Sequence, residues 1–226
     1  MTIDQTQLKN LGSKNNKAYL SANAYFKARG ADAVPYLVEQ AEAEKANDDP
    51  LTRQRIAMLL GHIGDPRGFA TLEGLASDPL EETRYDAVVA LGNLRDPRCL
   101  PLLLDIFQRG DDQEYVVPTL ACYLLARQGD EAISMLAEML PRSSRAIRLS
   151  IIDALGKAGN PVAASVLVPL LSDSEAEVRM AALEAIGMIP LENACHYLSL
   201  HCDDPDEGVR SVAHYWRRDL QCECLY

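Results

Sequence analysis

Apolar residues recur at helical spacing through most of this chain. Between Arg84 and Leu94 they follow the spacing of one helix face, and a turn comes next. Asp96 and Pro97 suit the N-cap and first turn of a second helix, because a carboxylate accepts a bond from a free backbone N–H and proline has no N–H to lose. The pattern therefore predicts helix, turn, helix. The apolar residues of the first face are Ala87, Val88, Leu91 and Leu94.

The same unit recurs with a period of 31 residues. An arginine opens the units at Arg53, Arg84, Arg148, Arg179 and Arg210, which are separated by 31, 64, 31 and 31 residues. A glycine follows in the same phase, and the interval of 64 spans one degenerate unit from Pro118 to Leu140. A single helix pair cannot bury its own apolar face, so such units stack. The sequence predicts an all-α, right-handed α-solenoid of about six helix pairs plus a carboxy-terminal capping helix.

This periodicity also sets the expected domain boundaries. Residues 1–16 are polar and predict a loose amino-terminal lead-in. Residues 17–220 form a single predicted repeat array, which ends in the cap. Residues 221–226 form a short tail that contains cysteine.

The order of motifs resembles HEAT repeats, and most of all the short repeats of phycobilisome-lyase proteins. Gly61 precedes Asp65-Pro66-Arg67 by the same interval that separates Gly92 from Asp96-Pro97-Arg98. A Val-Arg step opens the unit at Arg179 and the cap at Arg210. The resemblance covers about residues 17–220 and implies an α-solenoid.

The resemblance leaves the function open, because a fold does not dictate an activity. Proteins of this type include bilin lyase subunits, immunity proteins, adaptors and iron-containing deoxyhypusine hydroxylases. The hydroxylases hold two irons with repeated His-Glu pairs, but the four histidines here are followed by Ile, Tyr, Cys and Tyr. We therefore expect no such iron site. The four histidines are His62, His196, His201 and His214.

The second helix of each pair lines the concave side of a HEAT array. Its less buried positions are apolar in this chain, and an exposed apolar strip indicates an interface. The alternative is that the same side chains are buried between repeats. The predicted partner-binding strip consists of Leu102, Leu104, Met135, Val166, Val168 and Tyr197.

The net charge of the chain limits the kinds of partner that are expected. The chain has 33 acidic and 22 basic residues and a net charge of −11. Nucleic acids and anionic membranes attract clustered Lys and Arg, so neither is expected as a partner, whereas a basic protein suits the charge. The amino-terminal segment does not resemble a signal peptide, and no run of about 18 apolar residues occurs. We therefore expect a cytoplasmic protein.

The six cysteines predict reduced thiols. Cys99 and Cys122 fall in apolar helical stretches, and Cys195 shares a helix face with Cys202, so all suit core packing. Cys222 and Cys224 supply only two of the four donors that zinc requires, so an ordinary tail is favoured over a metal site.

These features predict a non-catalytic protein-binding scaffold with no catalytic residue, metal or cofactor. One alternative is a subunit or chaperone of an E/F-type phycobilin lyase, which would contact a bilin and would be the one enzymatic reading. The second is an acidic immunity protein that neutralises a bacterial toxin.

Overall fold

The computed structural model describes residues 4–44, 50–94, 96–109 and 116–222. Within these ranges every regular element is a helix, which confirms the predicted all-α solenoid class. Short 3-10 segments extend several of the turns. The α-helices are α1 Gln5–Leu11, α2 Asn16–Arg29, α3 Val34–Ala43, α4 Leu51–Ile63, α5 Phe69–Leu75, α6 Glu81–Leu94, α7 Cys99–Gln108, α8 Val116–Ala126, α9 Asp130–Met139, α10 Arg145–Ala158, α11 Ala164–Leu167, α12 Ala176–Met188, α13 Ala194–Ser199 and α14 Glu207–Asp219.

The contacts divide the chain into two compact units, Met1–Leu124 and Leu125–Tyr226. We call these the amino-terminal and carboxy-terminal units. The division falls within α8, in the degenerate fourth repeat. In the amino-terminal unit α4 packs on α6, and in the carboxy-terminal unit α12 packs between α10 and α14. Within each unit the first helices of successive repeats therefore lie side by side, and in the carboxy-terminal unit α14 occupies the place of a first helix.

The phased glycines mark close approaches between these first helices. A Cβ atom on Gly61 would lie 2.6 Å from Cα of Ala90, and one on Gly156 would lie 2.7 Å from Cα of Ala185. Both distances are far below ordinary van der Waals contact. The glycine recurs because helix backbones touch at this point in the amino-terminal and in the carboxy-terminal unit.

The arginine that opens each repeat joins successive loops. Nε of Arg53 lies 2.8 Å from Oδ2 of Asp78, and Nη2 of Arg179 lies 2.8 Å from Oδ1 of Asp204. Arg179 also donates to the carbonyl oxygen of Asp173 at 2.9 Å, in the loop just before its own helix. The guanidinium thus ties the loop behind it to the loop ahead, which explains why Arg recurs in phase.

The Asp-Pro turns cap the second helices as the sequence predicts. The Asp65 carboxylate accepts from the backbone N–H of Arg67 at 2.9 Å, and Asn160 accepts from that of Val162 at 3.0 Å. The Arg67 guanidinium also bonds Asp65 and lowers the pKa of that carboxyl to about 2. The same guanidinium donates to the carbonyl oxygen of Ala31 in the preceding turn. The motif is therefore a structural joint between repeats.

The predicted lead-in contains a helix that the sequence analysis did not anticipate. Asp4 caps α1 by accepting from the backbone N–H of Thr6 at 2.8 Å. Leu8 and Leu11 are buried, so this short helix covers the open end of the first repeat. Two leucines in an otherwise polar segment were too weak a periodic signal to predict it.

Candidate binding site

A cavity of about 250 Å³ lies between α2, α4 and α6, which are the first helices of the first three repeats. Its walls follow helical spacing, with Tyr19 and Asn23 one turn apart on α2 and Met58 and His62 one turn apart on α4. The third wall is α6, which contributes Asp86 through Asn93. The cavity therefore arises from three adjacent helices within the amino-terminal unit.

Asp86 is the most unusual group on these walls. Its side chain is half-buried, and burial raises the pKa of its carboxyl above the ordinary value. Within the described part of the chain it has no hydrogen-bond or ion-pair partner. Charged groups that are desolvated without a partner are energetically costly, and titratable groups with shifted pKa values concentrate at functional sites.

Two cationic or titratable groups stand at the mouth of the cavity. Lys27 and His62 line it with exposed side chains. The wall behind them is fixed, because the Arg55 guanidinium lies 3.9 Å from the centre of the Tyr19 ring. Arg55 also donates to the carbonyl oxygen of Ser13 at 2.8 Å, which anchors the loop between α1 and α2. Arg55 thus packs on Tyr19 of the wall, and the exposed residues Lys27 and His62 form a polar rim.

This cavity was not predicted, because the apolar stripes of the first helices indicate only that these helices pack against one another. Asp86 directly precedes the apolar stripe of α6, and a polar residue beside such a stripe normally faces solvent. Here it is half-buried and lines a cavity whose other walls are α2 and α4. No sequence pattern indicates that burial.

The predicted partner-binding strip is half-buried at all six positions, so the structure makes it neither an open surface nor a closed core. Leu102 and Leu104 lie on α7 in the amino-terminal unit, and the other four residues lie in the carboxy-terminal unit. The hydroxyl of Tyr197 accepts from Nδ2 of Asn193 at 3.1 Å. The assignment of this strip to partner binding stays a prediction.

The cysteines differ from the expectation of reduced thiols. Cys195 forms a disulfide with Cys222, so neither is the unpaired residue that the sequence predicted. Cys99 is buried as predicted, and burial raises the pKa of its thiol to about 11. Cys224 lies outside the described residues.

The described residues do not fit a metal centre. Nowhere in ranges 4–44, 50–94, 96–109 and 116–222 do three or more His, Cys, Asp or Glu side chains gather as metal ligands. Both ring nitrogens of His201 are already engaged, with the carbonyl oxygens of Tyr197 at 2.9 Å and Leu171 at 3.0 Å. A pair of irons held by His-Glu pairs therefore has no matching donor set in this part of the chain.

None of the described helices combines the length and the apolar composition that crossing a bilayer requires.

A sequence profile described as HEAT repeats matches residues 34–117, 111–187 and 133–215. The chain belongs to the HEAT-repeat family. The resemblance read from the phased Gly and Asp-Pro-Arg motifs is confirmed, and the matches extend from the second helix of the first repeat into α14.

Named proteins similar to this HEAT-repeat chain include an enzyme. Deoxyhypusine hydroxylase-B of Oryza sativa subsp. japonica is 26% identical over 250 residues, covering 95% of this chain and 82% of that protein. Human deoxyhypusine hydroxylase in complex with glycerol is 19% identical, with a TM-score of 0.43 over 97% of this chain and 96% of the other. The complex of CpcE and CpcF of phycocyanin lyase from Nostoc sp. PCC7120 is 20% identical, with a TM-score of 0.47 over 97% and 95%.

The rice relative overturns the prediction of a non-catalytic scaffold. That protein is named as an enzyme and aligns with almost the whole of this chain. That relative gives no support to the lyase-subunit alternative or to the immunity-protein alternative. The lack of His-Glu steps argued against the iron site alone, and a family can keep its fold while its site residues change.

Proposed function

We propose that this chain recognises an aliphatic amine, in the form of a lysine-derived side chain of a protein substrate, in the cavity between α2, α4 and α6. The observation that carries the proposal is the Asp86 carboxylate, half-buried on the cavity wall and without an ionic partner among the described residues. A cation placed beside it regains the electrostatic energy that burial removes.

The walls suit the rest of such a ligand. Met58 and Val89 offer apolar surface along which a methylene chain packs. Asn23 and Asn93 supply amide groups that can complete the hydrogen bonds of an ammonium. The volume of about 250 Å³ is below the roughly 300–1,000 Å³ of pockets for drug-sized ligands, so it suits a single extended side chain.

The name of the rice relative supports an amine substrate. It is named for deoxyhypusine, an amino-acid residue whose side chain carries amine groups. The proposal for this chain is limited to recognition of the amine. Iron-dependent oxidation is not part of it, because the described histidines and carboxylates do not fit a pair of irons.

Charge at the rim affects how strongly an amine binds. Lys27 brings a like charge to the mouth of the cavity, which weakens the attraction for an ammonium near that point. A monoamine is expected to bind better at neutral pH than at a pH low enough to protonate Asp86.

The proposal is tested by titrating the protein with Nα-acetyl-lysine N-methylamide and with the norleucine equivalent, which has the same chain without the amine. Two-dimensional NMR should show saturable shifts for α2, α4 and α6 with the lysine compound only. Equal shifts with both compounds, or none with either, would contradict amine recognition.

A further inference from the structure

We propose that Cys195 and Cys222 form a reversible redox latch that holds the carboxy-terminal cap closed. Their Cα atoms lie 5.5 Å apart and their sulfurs are bonded, although 27 residues separate them in sequence. Cys195 lies on α13 and Cys222 follows α14, so the bond joins the last two helices of the carboxy-terminal unit. This inference is independent of the amine-binding cavity.

The backbone after α14 places Cys222 for this bond. The N–H of Cys222 donates to the carbonyl oxygen of Arg217 at 2.9 Å, and the N–H of Gln221 donates to that of Arg218 at 3.2 Å. Gln221 takes the left-handed conformation, with φ of 52°. These are the two bonds of the Schellman ending of a helix, where glycine usually occupies the left-handed position. The chain therefore turns back toward α13 and keeps the two sulfurs near each other when the bond is reduced.

A third sulfur lies in the same corner of the molecule. Nη1 of Arg217 donates to Sγ of Cys202 at 3.3 Å, while the carbonyl oxygen of the same residue holds Cys222. Cys202 is half-buried and is not disulfide-bonded. Disulfide exchange proceeds by attack of a third sulfur on a bonded pair, so a thiol in the same corner offers a partner for exchange. The corner thus holds three cysteines around one arginine.

The latch controls how firmly the cap is held. Trp216 of α14 fills the space above Gly187 of α12, where a Cβ would lie 2.1 Å from the indole ring. Cys195 lies on the short helix α13, which also carries Tyr197 of the predicted partner-binding strip. Closing the disulfide restricts α13 and the end of α14 together, and opening it leaves the chain end held by backbone bonds and by packing alone.

The redox step balances with a disulfide-class oxidant. The two thiols together lose two electrons and two protons as the sulfur–sulfur bond forms. A small-molecule disulfide accepts the electrons and protons through a mixed disulfide and leaves as two thiols. Excess thiol drives the same reaction backwards.

Hydrogen exchange tests the latch on the intact chain. The protein is equilibrated in glutathione buffers of defined ratio, and peptides covering residues 194–222 are followed by mass spectrometry. We expect exchange in α14 to be about tenfold faster in the reduced state, because the bond closes a loop and so disfavours local opening. Peptides from α4 and α6 should not change.

Two variants separate the latch from general loss of structure. Cys195→Ser and Cys222→Ser should each show the fast exchange in oxidising and reducing buffer alike, with unchanged helix content by circular dichroism. Cys202→Ser keeps the bonded pair and should still switch. If all six cysteines are alkylated after the oxidised protein is unfolded without reductant, the disulfide is not present and the proposal is wrong. Identical hydrogen exchange of α14 in the two redox states would also overturn it.

Discussion

The guanidinium of Arg53 and the carboxylate of Asp78 form an ion pair at 2.8 Å, with each side chain only 6% exposed to solvent. Arg53 also donates to the carbonyl oxygen of Glu44 at 3.0 Å, so one buried cation connects three successive segments of the amino-terminal unit. Shielding of this degree distinguishes the pair from the exposed ion pairs elsewhere on the chain.

Removing one partner of this pair should destabilise the amino-terminal unit strongly. Arg53→Ala leaves the Asp78 carboxylate buried without its counter-charge, and we expect a loss of about 3–5 kcal/mol in the free energy of unfolding. Urea unfolding monitored by circular dichroism measures it. Arg109→Ala breaks an exposed pair with Asp105 and serves as the control, with an expected loss below about 1 kcal/mol. Equal effects of the two changes would contradict a structural role for the buried pair.

The close approach at Gly61 makes a second prediction. Gly61→Ala places a methyl group 2.6 Å from the Ala90 backbone, so α4 and α6 must move apart at a cost of about 1–3 kcal/mol. Gly74→Ala is the matched control, since no atom lies within 4 Å of its added methyl and it sits inside α5. There the higher helix propensity of alanine should add about 0.5–1 kcal/mol. Thermal unfolding distinguishes the opposite signs, and destabilisation by both changes would refute the close-contact explanation.

Thr83 offers a stabilising change. Its hydroxyl oxygen is fully buried and has no hydrogen-bond partner within the described structure. Thr83→Val keeps the shape of the side chain and removes the buried polar atom, so the free energy of unfolding should rise by about 1–3 kcal/mol. A variant less stable than the parent in urea would show that the hydroxyl is satisfied after all.

Asp86 should make stability depend on pH in a defined direction. Burial raises the pKa of its carboxyl in the folded state, so the folded chain binds this proton more readily than the unfolded chain. The resulting contribution favours folding below the unfolded pKa of about 3.9 and is lost as the pH rises through the folded pKa. Lys27, His62 and Tyr19 also face this cavity.

The Asp86→Asn variant isolates that contribution. It should be more stable than the parent at pH 7, and this advantage should shrink as the pH falls toward 3, because both proteins are then neutral at position 86. Chemical unfolding at several pH values measures the difference. An advantage that grows toward low pH would mean that the folded state lowers the pKa of this carboxyl instead.

The architecture was predictable because every repeat must meet the same packing and hydrogen-bonding requirements, so the same residues recur. Gly61 and Gly156 recur where helix backbones touch, and Arg53 and Arg179 recur where a cation ties two loops together. The period of 31 residues reveals the recurring glycine and the recurring arginine from the sequence alone. The amino-terminal helix α1 was missed because it occurs once and carries only two buried leucines.

The candidate site was not predictable in the same way. The cavity depends on how α2, α4 and α6 pack together, and no repeated pattern indicates how deeply that packing buries Asp86. The disulfide joins residues 27 positions apart, and its pairing depends on a left-handed turn at Gln221 that nothing in the local sequence indicates.

Charge at the mouth of the cavity provides a gain-of-function prediction. Lys27→Met removes a like charge while keeping the length of the side chain. Amine affinity should rise, and the rise should diminish at high salt, because the exposed charges on which it depends are screened. Isothermal titration at two salt concentrations measures both effects. Weaker binding by this variant would indicate that Lys27 contacts the ligand directly.

The most direct measurement of the central claim compares amine binding by Asp86→Asn and Asp153→Asn. Asp153 lies on α10, pairs with Lys157 at 2.7 Å and is outside the cavity, so both variants lose the same charge. With Nα-acetyl-lysine N-methylamide at pH 7, Asp86→Asn should weaken binding by about tenfold or more, since a hydrogen bond to a charged group contributes about 1.5–3 kcal/mol. Asp153→Asn should bind like the parent. Undiminished binding by a folded Asp86→Asn protein would contradict the account.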